Sequence, residues 1–217
     1  RKQNVVYSAL TPNMRGYENA VTAKADEIAV FASASEGFSQ KNINCSIAES
    51  VERFKPILEE AANISLPVRG YVSCVTDCPY DGPTPAGVVA DLADLLIRMG
   101  CYEVSLGDTI GAGTPETIGR MLEAVSSVVP STKLAGHYHD TKSRAIENID
   151  VSLSYGLRTF DAAIGGLGGC PYAEGASGNV ATEEVVRFLE SKGFETGIDF
   201  DKLSALAESV GQWKKRP

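Results

Sequence analysis

Short apolar, β-rich runs recur roughly every 30 residues along this chain, and amphipathic helical patterns fill the intervals between them. No other feature constrains the fold as strongly. Repeated βα units lay their strands side by side in a parallel sheet, and the connecting helices cover it. The predicted strands are Asn4–Leu10, Glu27–Ser33, Pro67–Cys74, Tyr102–Leu106, Lys133–His137 and Thr159–Ile164. Most are apolar almost throughout, as expected of strands covered on both faces. The 217 residues suit one domain, 1–217, rather than two.

The helix boundaries are written in capping residues. Ser46 with Glu49 makes a capping box before a predicted helix running to Asn63, with Pro56 inside it as a kink. Thr84–Pro85 and Thr114–Pro115 each set a capping hydroxyl before a proline suited to a first helical turn. Gly100, Gly156 and Gly193 stand where helices should stop. Two further helices are predicted near Thr182–Lys192 and Asp201–Gln212. An eight-stranded barrel and an open sheet share this period; the barrel is the preferred reading because polar and glycine-rich clusters follow all six strands.

Those clusters hold the candidate chemistry. His137 and His139, the only histidines, are separated by one residue at a strand end, which puts both rings on one face. They read either as a divalent-metal pair, with Asp140 next to them and Asp108 ending the preceding strand, or as one packed and one exposed imidazole. The run Gly165–Tyr172 has four glycines in five residues before Cys170. Either it is a tight turn with an inert thiol, or it is a mobile loop that brings Cys170 in as a proton donor, with the amides of Gly168 and Gly169 facing an anion. Asn179 beyond it either ligates metal or caps the next helix. The glycines match neither a dinucleotide fingerprint nor a P-loop.

Composition excludes several classes. A net charge of −8 leaves no basic stripe for nucleic acid. No apolar run approaches the length of a membrane span. Five irregularly spaced cysteines point to a reducing compartment, with the cytoplasm the expected location, rather than to a disulfide framework.

From about Leu10 to Trp213 the chain resembles the hydroxymethylglutaryl-CoA lyase family. The likeness is carried by LTPNMRG (Leu10–Gly16), ASEGFSQKNINCSI (Ala34–Ile47), RGYVSCVTDCPYDG (Arg69–Gly82), YEVSLGDTIGAGTP (Tyr102–Pro115), HYHDT (His137–Thr141) and GGLGGCPYAEGASGNVATE (Gly165–Glu183). The resemblance implies a TIM barrel that splits 3-hydroxy-3-methylglutaryl-CoA into acetyl-CoA and acetoacetate with Mg²⁺ or Mn²⁺. It assigns His137, His139 and Asn179 to the metal, Cys170 in the loop 165–180 and Asp108 to catalysis, and Asn13 and Ser73 to the substrate pocket. Lys142 and Arg144, where the family pattern differs, are candidate contacts to the CoA phosphates or plain surface variation. A homodimer is implied as well.

The family pattern also has an Arg-Asp-Gly-Leu-Gln segment on its first strand and a catalytic glutamate on its second, and neither is in this sequence. The expectation is therefore six of eight barrel strands, with two βα units needed upstream. Two other readings remain: a related 3-hydroxyacyl-CoA lyase or Claisen-type condensing enzyme, and an inactive fragment that only binds CoA or a partner.

Overall fold

All six predicted strand runs form strands of one parallel sheet. The strands and helices are β1 (Ser8–Leu10), α1 (Met14–Thr22), β2 (Glu27–Ser33), α2 (Glu36–Ile43), α3 (Ile47–Asn63), β3 (Val68–Ser73), β4 (Asp77–Cys78), β5 (Gly82–Pro83), α4 (Ala86–Arg98), β6 (Glu103–Asp108), α5 (Pro115–Ser126), β7 (Leu134–Tyr138), α6 (Ala145–Ser154), β8 (Thr159–Phe160), α7 (Thr182–Ser191) and α8 (Phe200–Lys214). The computed structural model describes residues 1–168 and 178–214. The sheet order is β1-β2-β3-β6-β7-β8, with every neighbouring pair parallel.

The sheet is curled. Laid flat, three strand spacings of about 4.8 Å would hold β3 about 14 Å from β8. Yet Arg69 on β3 reaches Asp161, the residue after β8, at 2.7 Å. The sheet therefore bends towards the face that carries these two side chains, giving six strands of a barrel wall.

Strand alternation sorts the side chains between two faces. On the convex face Ile28, Val30, Val68, Val72, Val104, Leu106 and Leu134 meet the apolar stripes of the helices, including Phe54, Ile57, Leu96, Ile118, Leu122 and Ile149, in one buried core. On β3 and β6 the opposite parity is mostly polar. Register sets Arg69 beside Glu103, Tyr71 beside Ser105, Ser73 beside Gly107, and Gly107 beside His137. The concave face is thus where charge and chemistry collect. At the ends of the sheet, β1 and β8 each pair with one neighbour among the described residues, and Leu10 on β1 is 65% exposed.

Local signals held at most helix starts. Ser46 and Glu49 form their reciprocal capping box, and Thr114 caps α5 with Pro115 in its first turn. Thr84 does not cap α4. Pro85 occupies that position, and the Thr84 amide instead donates to the Thr76 carbonyl beside the β4–β5 hairpin. That hairpin was not anticipated, because two-residue strands carry no periodicity. The β2–β3 connection is two helices rather than one, with Ser35 capping α2.

Candidate metal and active site

The strand ends of β3, β6 and β7 open into a cleft of about 610 Å³ whose walls include Phe31, Tyr71, Ser73, Thr109, His137 and His139. Both histidine rings reach it, their centroids 5.4 Å apart. His137 is the last concave-facing residue of β7. His139 follows the strand; its amide donates to the Asp108 carbonyl, and its backbone pairs with that of Asn179 in an isolated antiparallel bridge. Two residues 40 positions apart in sequence are thereby pinned side by side. The Asn179 side chain uses its nitrogen to donate to the Leu167 carbonyl at 2.9 Å, so its oxygen is the end chemically suited to a cation. Gly168 makes this approach possible: its φ is +107°, and a Cβ there would lie 2.6 Å from the Asn179 amide nitrogen.

The two imidazoles sit in different surroundings. His137 Nδ1 lies 3.1 Å from Asp161 Oδ2, which also accepts from Ser105 Oγ at 2.7 Å. Asp161 Oδ1 accepts from Arg69 Nη1 at 2.7 Å, while Arg69 Nε donates to Glu103 at 2.8 Å. Burial opposes ionisation of Asp161, but the His137 hydrogen bond and the Arg69 charge outweigh it and hold the carboxyl down to about 2. His139 is pushed the other way: burial, then the neighbouring His137, bring it down to about 4, so the ring is neutral at physiological pH. Its Nδ1 is buried and has no hydrogen-bond partner among the described residues.

A buried ring nitrogen left unpaired costs about 1–3 kcal/mol. Neutral imidazoles and an amide oxygen are donors that take a divalent cation of intermediate character. The two imidazoles and the Asn179 amide oxygen are therefore donors of a type that would suit a divalent ion.

Other expected site residues fall in several places. Ser73 lines the cleft. Asn13 does not; its side chain caps α1 by accepting from the Gly16 amide at 3.0 Å. Lys142 and Arg144 lie in the turn before α6, away from the cleft walls. Gly169 and Cys170 lie outside the described residues.

Asp108 departs from expectation. It has the parity of Val104 and Leu106, so its carboxylate turns to the helix side and is fully buried. There it accepts from the amides of Ala112 at 3.1 Å and Gly113 at 2.9 Å, with Thr76 Oγ1 at 3.4 Å. Burial, set against those hydrogen bonds, pushes it up to about 6. The side chain holds the turn leading into α5 rather than facing the cleft. Its neighbours Gly107 and Thr109 are the cleft residues of that segment.

Arg69, Ser105 and Asp161 were not foreseen. For Arg69 and Ser105 the signal was the polar residues at alternate positions, Arg69-Tyr71-Ser73 and Glu103-Ser105, in a set of strands read as mostly apolar. The described cysteines, Cys45, Cys74, Cys78 and Cys101, are buried free thiols, and burial pushes Cys74 and Cys101 up to about 12, away from thiolate chemistry.

Comparison with known proteins places the chain in a family. Residues 1–210 match the family model described as HMGL-like. A 3-hydroxy-3-isohexenylglutaryl-CoA/hydroxy-methylglutaryl-CoA lyase of Pseudomonas aeruginosa is 53% identical over 94% of this chain and 68% of its own length. A mitochondrial hydroxymethylglutaryl-CoA lyase of Arabidopsis thaliana is 53% identical over 96% of this chain, which spans only 44% of that relative. The crystal structure of the HMG-CoA lyase from Brucella melitensis superposes with a TM-score of 0.97 at 57% identity, covering all of this chain and 77% of that one. Sequence, fold and relatives agree: the chain belongs to the HMGL-like family, and within it to the hydroxymethylglutaryl-CoA lyases.

Proposed function

We propose that this chain provides the metal-binding wall and the loop cysteine of an enzyme that cleaves 3-hydroxy-3-methylglutaryl-CoA to acetyl-CoA and acetoacetate. The observation that carries the reading is the meeting of the His137 and His139 rings at one cleft, with Asn179 held beside His139 by a backbone bridge. Mg²⁺ or Mn²⁺ is the proposed ion, and it supplies charge stabilisation to the oxygen that becomes the ketone of acetoacetate.

The chain's own residues do the rest. His137 and His139 offer ring nitrogens to a cleft whose further walls are Phe31, Tyr71 and Ser73, and Asn179, bridged to His139, offers an amide oxygen. As the substrate hydroxyl loses its proton, its O–H electrons form the carbonyl. The C2–C3 pair moves onto the thioester as an enolate, and the Cys170 thiol is the proposed donor of the proton that carbon then takes. The amides of Gly168 and Gly169 are proposed to line the path of the thioester oxygen. Lys142 and Arg144, on the turn before α6, are proposed only as contacts for the CoA phosphates. Because Asp108 turns to the helix side, the acceptor of the hydroxyl proton is proposed to be the family's catalytic glutamate, which like the Arg-Asp-Gly-Leu-Gln segment is not in this sequence; turnover is proposed for a polypeptide that contains both, acting as a homodimer. Relatives carry both mitochondrial and cytoplasmic names, and the buried free thiols suit a reducing compartment such as the cytoplasm.

The test is acetoacetate release from the CoA thioester by that polypeptide. Turnover is expected to vanish with EDTA, return with Mn²⁺ or Mg²⁺, and fall in Cys170→Ser with Mn²⁺ affinity unchanged. Full activity in EDTA or in Cys170→Ser sinks the assignment.

A further inference from the structure

Arg69 and Asp161 are 92 residues apart and meet across the inside of the curled sheet. We propose that they are a positioning pair: Arg69 fixes Asp161, and Asp161 locks His137 as the tautomer protonated on Nδ1, with Nε2 presented to the cation. The inference deepens the function proposed above and rests on its reading of His137 as a ligand.

The lock follows from donor and acceptor chemistry. An ionised carboxylate only accepts, and a guanidinium only donates. Asp161 Oδ2, already taking the Ser105 hydroxyl at 2.7 Å, lies 3.1 Å from His137 Nδ1. That nitrogen must therefore carry the proton; the other tautomer would set a lone pair against an anionic oxygen. Asp161 is itself anchored. Arg69 donates to it at 2.7 Å and is held in turn by Glu103 at 2.8 Å and by the Tyr71 hydroxyl at 2.5 Å, with its guanidinium 4.9 Å from the Tyr71 ring centroid. The Arg69 side chain is only 9% exposed, so the pair is held away from water.

A bare stability role accounts poorly for this arrangement. Buried ion pairs are commonly matched or bettered by apolar residues of the same volume. Orienting a metal-binding histidine through its second nitrogen is, by contrast, a use that such a carboxylate serves well. The other histidine supplies the contrast within the same cleft, since His139 Nδ1 has no hydrogen-bond partner among the described residues.

The experiment uses the full-length polypeptide that carries this chain, labelled with ¹⁵N-histidine. This chain contributes two histidines, and a His137→Gln variant assigns the signal. Metal-free wild type is expected to show one Nδ1-protonated tautomer at His137, and Asp161→Asn a mixture. Mn²⁺ titration should show affinity about 10–100-fold weaker in Asp161→Asn, with part regained in Asp161→Glu, while thermal unfolding confirms that each variant is folded. An unchanged spectrum and unchanged affinity in folded Asp161→Asn overturn the proposal. Should that variant not fold, Arg69→Lys, which keeps the charge and loses the planar fork, is expected to give a smaller shift of the same kind; no shift overturns the idea. Wild type that binds no Mn²⁺ defeats the metal reading alone. The tautomer comparison still decides the lock in that case: a mixture appearing only in the variant upholds it, and identical spectra overturn it.

Discussion

Replacing Asp108 with Asn separates a structural carboxylate from a catalytic one. In the native protein burial, opposed by the Gly113 and Ala112 amides, raises this carboxyl from 3.8 to about 6. Between those values the unfolded chain is ionised while the folded chain keeps its proton. Folded protein thus binds more protons than unfolded, and stability falls as pH rises. The contribution is fully present below about pH 4 and is lost as pH passes through about 6. At about 1.36 kcal/mol per pH unit the whole difference is about 3 kcal/mol, most of it between pH 4 and pH 7. Asn at this position does not titrate. Urea unfolding of both proteins across that range should therefore show wild type losing about 2–3 kcal/mol relative to Asp108→Asn as pH rises. Because Asp108 turns away from the cleft, the variant should also retain measurable turnover wherever it is folded. A pH-independent stability difference together with complete loss of turnover would refute the helix-side placement and return Asp108 to the reacting centre.

Three further substitutions test the scaffold around the site. Gly168→Ala forces a left-handed residue with a Cβ 2.6 Å from the Asn179 amide, a strain of about 1–3 kcal/mol; Mn²⁺ affinity should fall about tenfold, and unchanged affinity would detach Gly168 from the site. Thr114→Ala removes the α5 cap made to the Thr117 amide, so chemical denaturation should show a loss of about 1 kcal/mol. Ile118→Ala empties a fully buried position in the core between α5 and the sheet, with an expected loss of about 2–5 kcal/mol in the same assay; a loss under 1 kcal/mol would mean that the core closes up around the gap.

The parallel strands were legible because each is an apolar run bounded by turn residues, and Glu27–Ser33 is a strand over the full predicted range. Connections were read less well. Thr84 carries a helix-start signature, yet its amide is engaged by a hairpin that two-residue strands do not announce. The histidines were found because both chemical type and spacing mark them. Asp108 was read at a strand end, but its direction was not: grouping polar residues after strands ignores the pleat, and the buried Val104 and Leu106, four and two positions earlier, fix it to the helix side. Asp161 escaped for a different reason. Its partners, Arg69, Ser105 and His137, are 92, 56 and 24 residues away and converge only once the sheet curls.

The curl also explains why charge is tolerated inside this wall. A flat parallel sheet with helices on both faces would surround Arg69, Glu103 and Asp161 with apolar side chains and leave them to pair along a single strand edge. Bending the sheet brings β3, β6 and the end of β8 around one interior, where register sets Arg69 beside Glu103 and the bend sets it against Asp161. Each charge then has an opposite charge or a hydroxyl within hydrogen-bond distance, which is the condition for keeping it out of water. The same bend leaves His137 at the rim of that charged layer, one ring edge on Asp161 and the other side towards the cleft. Helix packing on the convex face supplies the stability, so the concave face can hold residues chosen for what they orient.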